Sequence, residues 1–128
     1  MGRPLHFEIH AADPDRAERF YVDVFGWTAQ NIGGPADYRL LTTGPAGEPG
    51  IDGAILKRPG DEPEEGDPVS AYVCTIGVES IEETEGAVAA AGGRQVADRM
   101  EVPGVGHLSY FKDTEGNIFG ALQPVPGD

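Results

Sequence analysis

The chain is short of cysteine, of positive charge and of long apolar runs, and each shortage closes off a class of function. Cys74 is the only cysteine among 128 residues, so no disulfide can form within the chain, and a lone thiol fits a reducing cytoplasm. Nine Lys and Arg stand against 22 Asp and Glu, giving a formal net charge of −13, and the basic residues form no cluster. Such a surface repels phosphate backbones and anionic membranes, which argues against nucleic acid and membrane partners. No stretch approaches the roughly 18 apolar residues of a membrane helix, and the opening "MGRPLHF" has no apolar signal core. Its Met-Gly start is followed by His6 where a myristoylation signal has Ser or Thr. A soluble cytoplasmic protein is expected. Gly-x-Ser-x-Gly, Cys-x-x-Cys and His-Glu-x-x-His are all missing, which leaves the usual hydrolase, dithiol redox and zinc-protease chemistries without support. "GGP" at Gly33 and "PGVG" at Pro103 are turn signals, since neither follows a strand and opens a helix as a phosphate loop does.

What is present is local punctuation around short apolar patterns. "LHFEIH", residues 5–10, alternates apolar and ionisable residues and reads as a strand with one apolar face. Asp13 is a good N-cap, Pro14 suits the first helical position, Ala17, Phe20, Tyr21 and Val24 make one stripe, and Gly26 stops the helix. "DYRLLTTGP" and "GIDGAILKRP" read as strands bounded by Gly and Pro. Residues 59–68 are acidic, rich in Pro and Gly, and expected to be a loop. A second strand follows in "SAYVCTIGV", then a helix over "SIEETEGAVAAAGG", whose Ser80 and Glu83 match a capping box and whose Gly92-Gly93 ends it. Gly86 should weaken that helix by about 1 kcal/mol relative to alanine. "GRQVADRME", "GHLSYFKD" and "NIFGALQP" close the chain, the last two joined by a turn over Asp113–Asn117.

The two halves repeat. Asp13 and Glu79 each lie 13 residues before a helix-ending glycine, which lays His6 on Tyr72 and Glu8 on Cys74, while "GAIL" at Gly53 matches "GALQ" at Gly120. One domain over 1–128 is expected, with a first unit over 4–58 and a second over 69–125. The fold class is α+β, two βαβββ units whose mixed sheets curl around a cleft.

"HFEIHAADPDRAERFYVDVFGW", "PGVGHLSYFKDTEGNIFG" and the doubled unit together resemble the vicinal oxygen chelate superfamily of glyoxalase I, bleomycin-resistance proteins and extradiol dioxygenases. The resemblance covers essentially the whole chain. It implies a divalent metal held by one side chain from the first strand and one carboxylate from the last strand of each unit. Carried over by position, these sites are His6, Tyr72, a residue on or next to Gly53, and Gly120, so one of four ligands is present. A catalytic divalent site normally needs three protein ligands. His6, Glu8 and His10 do not replace them, because the outer pair of such a strand lies about 13 Å apart. No cofactor is therefore expected, and any metal would fall on His6.

Leu5, Phe7 and Ile9 are expected in the core, placing His6, Glu8 and His10 on the concave face, with Tyr72 and Cys74 facing it from the other half. Gly53 and Gly120 would leave room for a small organic ligand, and Tyr110, His107, Tyr38 and Trp27 are further candidates to line it. His6 reads equally as a half-buried structural histidine, Cys74 as a small packing residue, and Trp27 and Tyr38 more often as core or interface than as site. Three functions fit: metal-independent binding of an aromatic or cationic molecule; a lyase or isomerase using Glu8 and His6 as base and acid; and a glyoxalase-like lyase or dioxygenase with a degenerate metal site. A homodimer is expected, and whether the cleft forms within one chain or across two stays open, as does whether the protein is an enzyme.

Overall fold

The computed structural model describes residues 2–60, 63, 64 and 72–126. The chain divides into two compact units, one formed by His6–Tyr72 and the other by Val73–Asp128 with Met1–Leu5. Most of the expected acidic loop (61, 62 and 65–68) lies outside the described residues. Among those described, no helix is long and apolar enough to cross a membrane.

In the His6–Tyr72 unit the order is β1 (Pro4–Ala11), α1 (Pro14–Phe25), β2 (Thr28–Gly33), β3 (Tyr38–Thr42) and β4 (Gly53–Lys57). Its strands lie in the order β2-β3-β4-β1, with β1 and β4 parallel and the other pairs antiparallel. The helix starts where the side chain of Asp13 accepts from the Arg16 N–H, with Pro14 in the first turn, and ends at Gly26 with φ 75°, a left-handed conformation that glycine adopts at little steric cost. The register sorts the side chains. Phe7, Gly53 and Leu41 lie in one row and Ile9, Ile55 and Arg39 in the next, on the face packed by Ala17 and Tyr21 of α1. Glu8, Ala54 and Leu40 lie between those rows on the opposite face, where strand alternation also puts His6, His10 and Tyr38.

Two sequence expectations change here, and the readings of Trp27 resolve to the core. Phe7 and Ile9 are core, but Leu5 is exposed. The apolar stripe of α1 splits: Ala17 and Tyr21 pack on the sheet, while Phe20 and Val24 are exposed. Trp27 packs with Phe7 (5.8 Å between rings) and Tyr21 (5.1 Å), so it belongs to the core face and lies away from His6.

The other unit runs β5 (Val73–Gly77), α2 (Ile81–Ala90), β6 (Arg94–Gln95), β7 (Met100–Val102), β8 (Gly106–Lys112) and β9 (Ile118–Pro124). β5 pairs in parallel with β9, β9 antiparallel with β8, and β6 and β7 both pair with β8. The expected second strand of this repeat is thus broken in two over 96–99, where Ser109 Oγ donates to the Ala97 carbonyl and accepts from Gln95. Ser80 accepts from the Glu83 N–H at the start of α2. Ile81, Phe111 and Ala121 form the core beneath the helix. In the Asp113–Asn117 turn, Asp113 Oδ1 accepts from the N–H groups of Glu115 (2.8 Å) and Asn117 (2.9 Å).

Candidate functional site

β1 carries its ionisable residues at every second position, so one face of one strand presents His6, Glu8 and His10. Glu8 is wholly buried. β3 brings Tyr38 onto the same face from 30 residues away, and its hydroxyl donates to Glu8 Oε2 at 3.0 Å. The same hydroxyl lies 3.1 Å from His6 Nε2. On the other side, His10 Nε2 stands 3.8 Å from Glu8 Oε1. The result is a short polar chain, His6–Tyr38–Glu8, with a half-buried imidazole at one end and a buried carboxylate at the other.

Electrostatics follow from this burial. Desolvation lowers the pKa of His6 below its ordinary 6.5, with the charges of Glu8 and Asp52 pulling part of the way back, so the imidazole is neutral near pH 7. Burial, and then the adjacent Glu8 charge and hydrogen bond, hold the Tyr38 hydroxyl protonated far above the usual tyrosine range. Arg39, next to Tyr38 on β3, points to the other face: its guanidinium bonds Asp15 (2.7 Å), Glu18 (3.2 Å) and Asp37 (2.8 Å), pinning β3 to the start of α1.

The remaining candidates are distributed differently from the sequence expectation. Tyr72 stacks on Phe7 with ring centres 5.3 Å apart, on the face of β1 opposite His6 and Glu8. Cys74 is exposed, which removes its packing role, and it shares a face with Ile76, whose partner Ala121 lies in the α2 core. Residues of β8 alternate, so His107 falls on the Phe111 side and Tyr110 on the opposite side beside Gly120; the two do not line one surface. Gly53 leaves no room next to His6: a Cβ there would sit 2.6 Å from the Phe7 carbonyl oxygen and 2.7 Å from its ring. Gly120 is also closely surrounded, by Thr75 Oγ1 at 3.3 Å and the Tyr110 ring at 3.4 Å.

For Tyr72 and Cys74 the cause is a one-residue slip in the repeat. The helix N-caps, Asp13 and Ser80, put Ile9 on Ile76, each four residues upstream of its cap. His6 then falls on Val73, and Glu8 on Thr75, where counting from the helix-ending glycines gave Tyr72 and Cys74. A slip of one residue in a strand moves every side chain to the other face. Thr75 is the buried counterpart of Glu8, and its hydroxyl has no hydrogen-bond partner among the described residues.

The same register tests the implied divalent metal. One step before the Phe7–Gly53 pair stand His6 and Asp52, and the counterparts of these positions in the repeat are Val73 and Ile118, which carry no donor. Asp52 Oδ1 is engaged by the Thr43 N–H at 2.8 Å and the Thr43 hydroxyl at 3.2 Å. Among the described residues no three His, Cys, Asp or Glu converge as a metal site would require. The donor set does not fit the ion.

Comparison with known proteins follows the same line as the fold. The model of the Glyoxalase/Bleomycin resistance protein/Dioxygenase superfamily matches residues 3–120, and the chain belongs to that superfamily. A glyoxylase-like domain-containing protein of Didymella fabae is 35% identical over 98% of this chain and 96% of its own length. CFP32 of Mycobacterium tuberculosis, named as a glyoxylase, is 31% identical over 98% of this chain, which spans 45% of that relative, about half its length. Among solved structures, a Streptomyces coelicolor methylmalonyl-CoA epimerase in complex with 2-nitronate-propionyl-CoA superposes with a TM-score of 0.72 at 13% identity, covering 98% of this chain and 99% of that one, a likeness of fold.

Proposed function

We propose that the chain is a small-molecule site of the glyoxalase and bleomycin-resistance type that works without a divalent metal, with His6 as the side chain that meets the ligand. The observation that supports this most is the His6–Tyr38–Glu8 chain, which holds a neutral imidazole in a fixed orientation on a face whose donors do not suit an ion. Glu8, wholly buried, orients and Tyr38 transmits; His6 is the partly exposed imidazole at the end of the chain. A net charge of −13 favours a cationic or neutral molecule over an anion.

The test is native mass spectrometry with elemental analysis on protein purified without chelator or affinity metal. A retained organic mass with far less than one metal per chain is the expected result. Stoichiometric nickel, zinc, manganese or iron would overturn it. If a ligand is found, His6→Ala should weaken its binding at least tenfold, and unchanged affinity would return His6 to a structural role. A homodimer belongs to the same proposal, and a monomer in sedimentation at micromolar protein would remove it.

A second reading, an isomerase or lyase that moves a proton beside a carbonyl, is favoured by one feature: the carboxylate sits behind the imidazole and is joined to it through a hydroxyl.

A further inference from the structure

We propose that Glu8 is the base of this site and acts at a distance, with Tyr38 and His6 carrying the proton to and from it. The proposal rests on the small-molecule reading above and gives that site a chemistry. A bound molecule cannot touch Glu8, because no part of the residue is exposed. It can meet His6, which is partly exposed.

Counting protons sets the direction of the chain. Tyr38 has one hydroxyl proton, and its oxygen faces both Glu8 Oε2 at 3.0 Å and His6 Nε2 at 3.1 Å. With Glu8 ionised, that proton points at the carboxylate, which can only accept. His6 Nε2 must then carry its own proton and donate it to the Tyr38 oxygen, leaving a lone pair on Nδ1. When Nδ1 takes a proton from a carbon or heteroatom acid, the Nε2 proton passes to the Tyr38 oxygen as the Tyr38 proton passes to Glu8. One bond to hydrogen breaks on the substrate, on Nε2 and on the phenol; one forms on Nδ1, on the phenol oxygen and on Oε2. The substrate gains the negative charge that Glu8 loses. His6 is neutral before and after, having changed tautomer, and the reverse sequence returns the proton.

The alternative is an imidazolium beside a buried carboxylate. It would keep two charges where burial disfavours both, whereas the relay leaves a neutral acid and a neutral ring. His10 faces Glu8 from the same strand at 3.8 Å, and Asp52 at the head of β4 acts on His6. Ala54 and Leu56, opposite Glu8 and His10 on β4, are apolar, and Arg39 on β3 points the other way. His10 is therefore the group to vary as a control.

The experiment is long-range proton–nitrogen NMR of histidine-labelled protein from about pH 4 to about pH 9, the range that brackets free Glu and His titration. The nitrogen shifts separate the two neutral tautomers from the imidazolium. The expected result is a neutral Nε2–H ring at high pH that converts to a neutral Nδ1–H ring as Glu8 takes up a proton. Tyr38→Phe should abolish the conversion and let His6 titrate to imidazolium, while His10→Gln should preserve it. Should Tyr38→Phe not fold, Glu8→Gln serves, with a tautomer that no longer changes at the Glu8 titration. A wild-type His6 that passes directly to imidazolium, or a conversion that survives Tyr38→Phe, overturns the relay. The readout needs no ligand. A protein that converts but retains no small molecule would remove the binding reading alone, and one that retains a ligand without converting would remove the relay alone.

Discussion

Gly53 and Gly120 look alike in sequence, both opening a "GA" pair in the last strand of a repeat, but their surroundings differ. A methyl group at Gly53 meets Phe7 backbone and ring at 2.6 and 2.7 Å, closer than carbon atoms approach, whereas at Gly120 it meets the Thr75 hydroxyl and Tyr110 ring at 3.3 and 3.4 Å. Gly53→Ala should therefore cost about 1–3 kcal/mol of stability through overpacking, and Gly120→Ala clearly less. Thermal or urea unfolding of the two variants checks this, and equal losses would show that Phe7 can move aside. Tyr38→Phe belongs at the same scale. It leaves the buried Glu8 without its phenolic donor, a change worth about 1–3 kcal/mol, and a variant as stable as wild type would mean that another donor takes over. Alternation alone placed His6, Glu8 and His10 on one face of β1. Tyr38 counts in sequence among the residues that could line the cleft, but its bond to Glu8, 30 residues away, is not legible there, because hydrogen bonds between distant strands leave no local pattern. The same holds for the ion pairs of Arg39, since a residue's face is set by its strand's register and Arg39 alternates with Tyr38.

Among the elements, those stopped by capping chemistry were legible in advance: Asp13 with Pro14, Gly26, Ser80 and the Asp113–Asn117 turn all do locally what their residue types favour. The repeat was legible too, but its register was not. Asp13 lies 13 residues before Gly26 but Ser80 only 12 before Gly92, so counting back from the glycines shifts the second unit by one position, and N-caps are the better anchor. Arg39 shows how one side chain serves an element. It is nearly buried and bonds three carboxylates, two of them on α1. Arg39→Met should destabilise the unit by about 2 kcal/mol, less than for a fully buried pair because Asp15 is mostly exposed, and Arg39→Lys should recover only part of the loss, lacking the forked geometry. Full stability in Arg39→Met would make the cluster incidental. The β8–β9 turn gives a pH signature. Backbone N–H groups of Asn117 and Glu115 lower the Asp113 pKa below its ordinary 3.8. The folded state thus holds its proton less tightly than the unfolded chain, so the contribution is present above that value and fades as pH falls through the lower folded pKa. Asp113→Asn should flatten the acid limb of the stability profile there, and an unaltered limb would assign acid unfolding to other carboxylates.

For the whole molecule the dominant quantity is charge. With 22 acidic residues against nine basic ones, folding gathers like charges that the unfolded chain keeps further apart. At 0.1 M salt the screening length is about 10 Å, and at 1 M about 3 Å, so added salt should relieve this repulsion. Salt also weakens ion pairs, and the chain has an exposed one, Arg99 with Glu85. Exposed pairs are worth about 0–1 kcal/mol each, too little to reverse the effect of so large an excess charge. The midpoint of thermal unfolding should therefore rise by several degrees between low salt and about 0.5 M NaCl. Sodium, potassium and choline chlorides should act alike, since screening depends on ionic strength and not on the identity of the cation. A falling midpoint would mean that the Arg39 and Arg99 pairs outweigh the repulsion. A rise confined to one cation would mean that the acidic surface binds that ion at a defined place, and divalent ions at matched ionic strength extend the comparison to the metal that the donors on β1 do not suit.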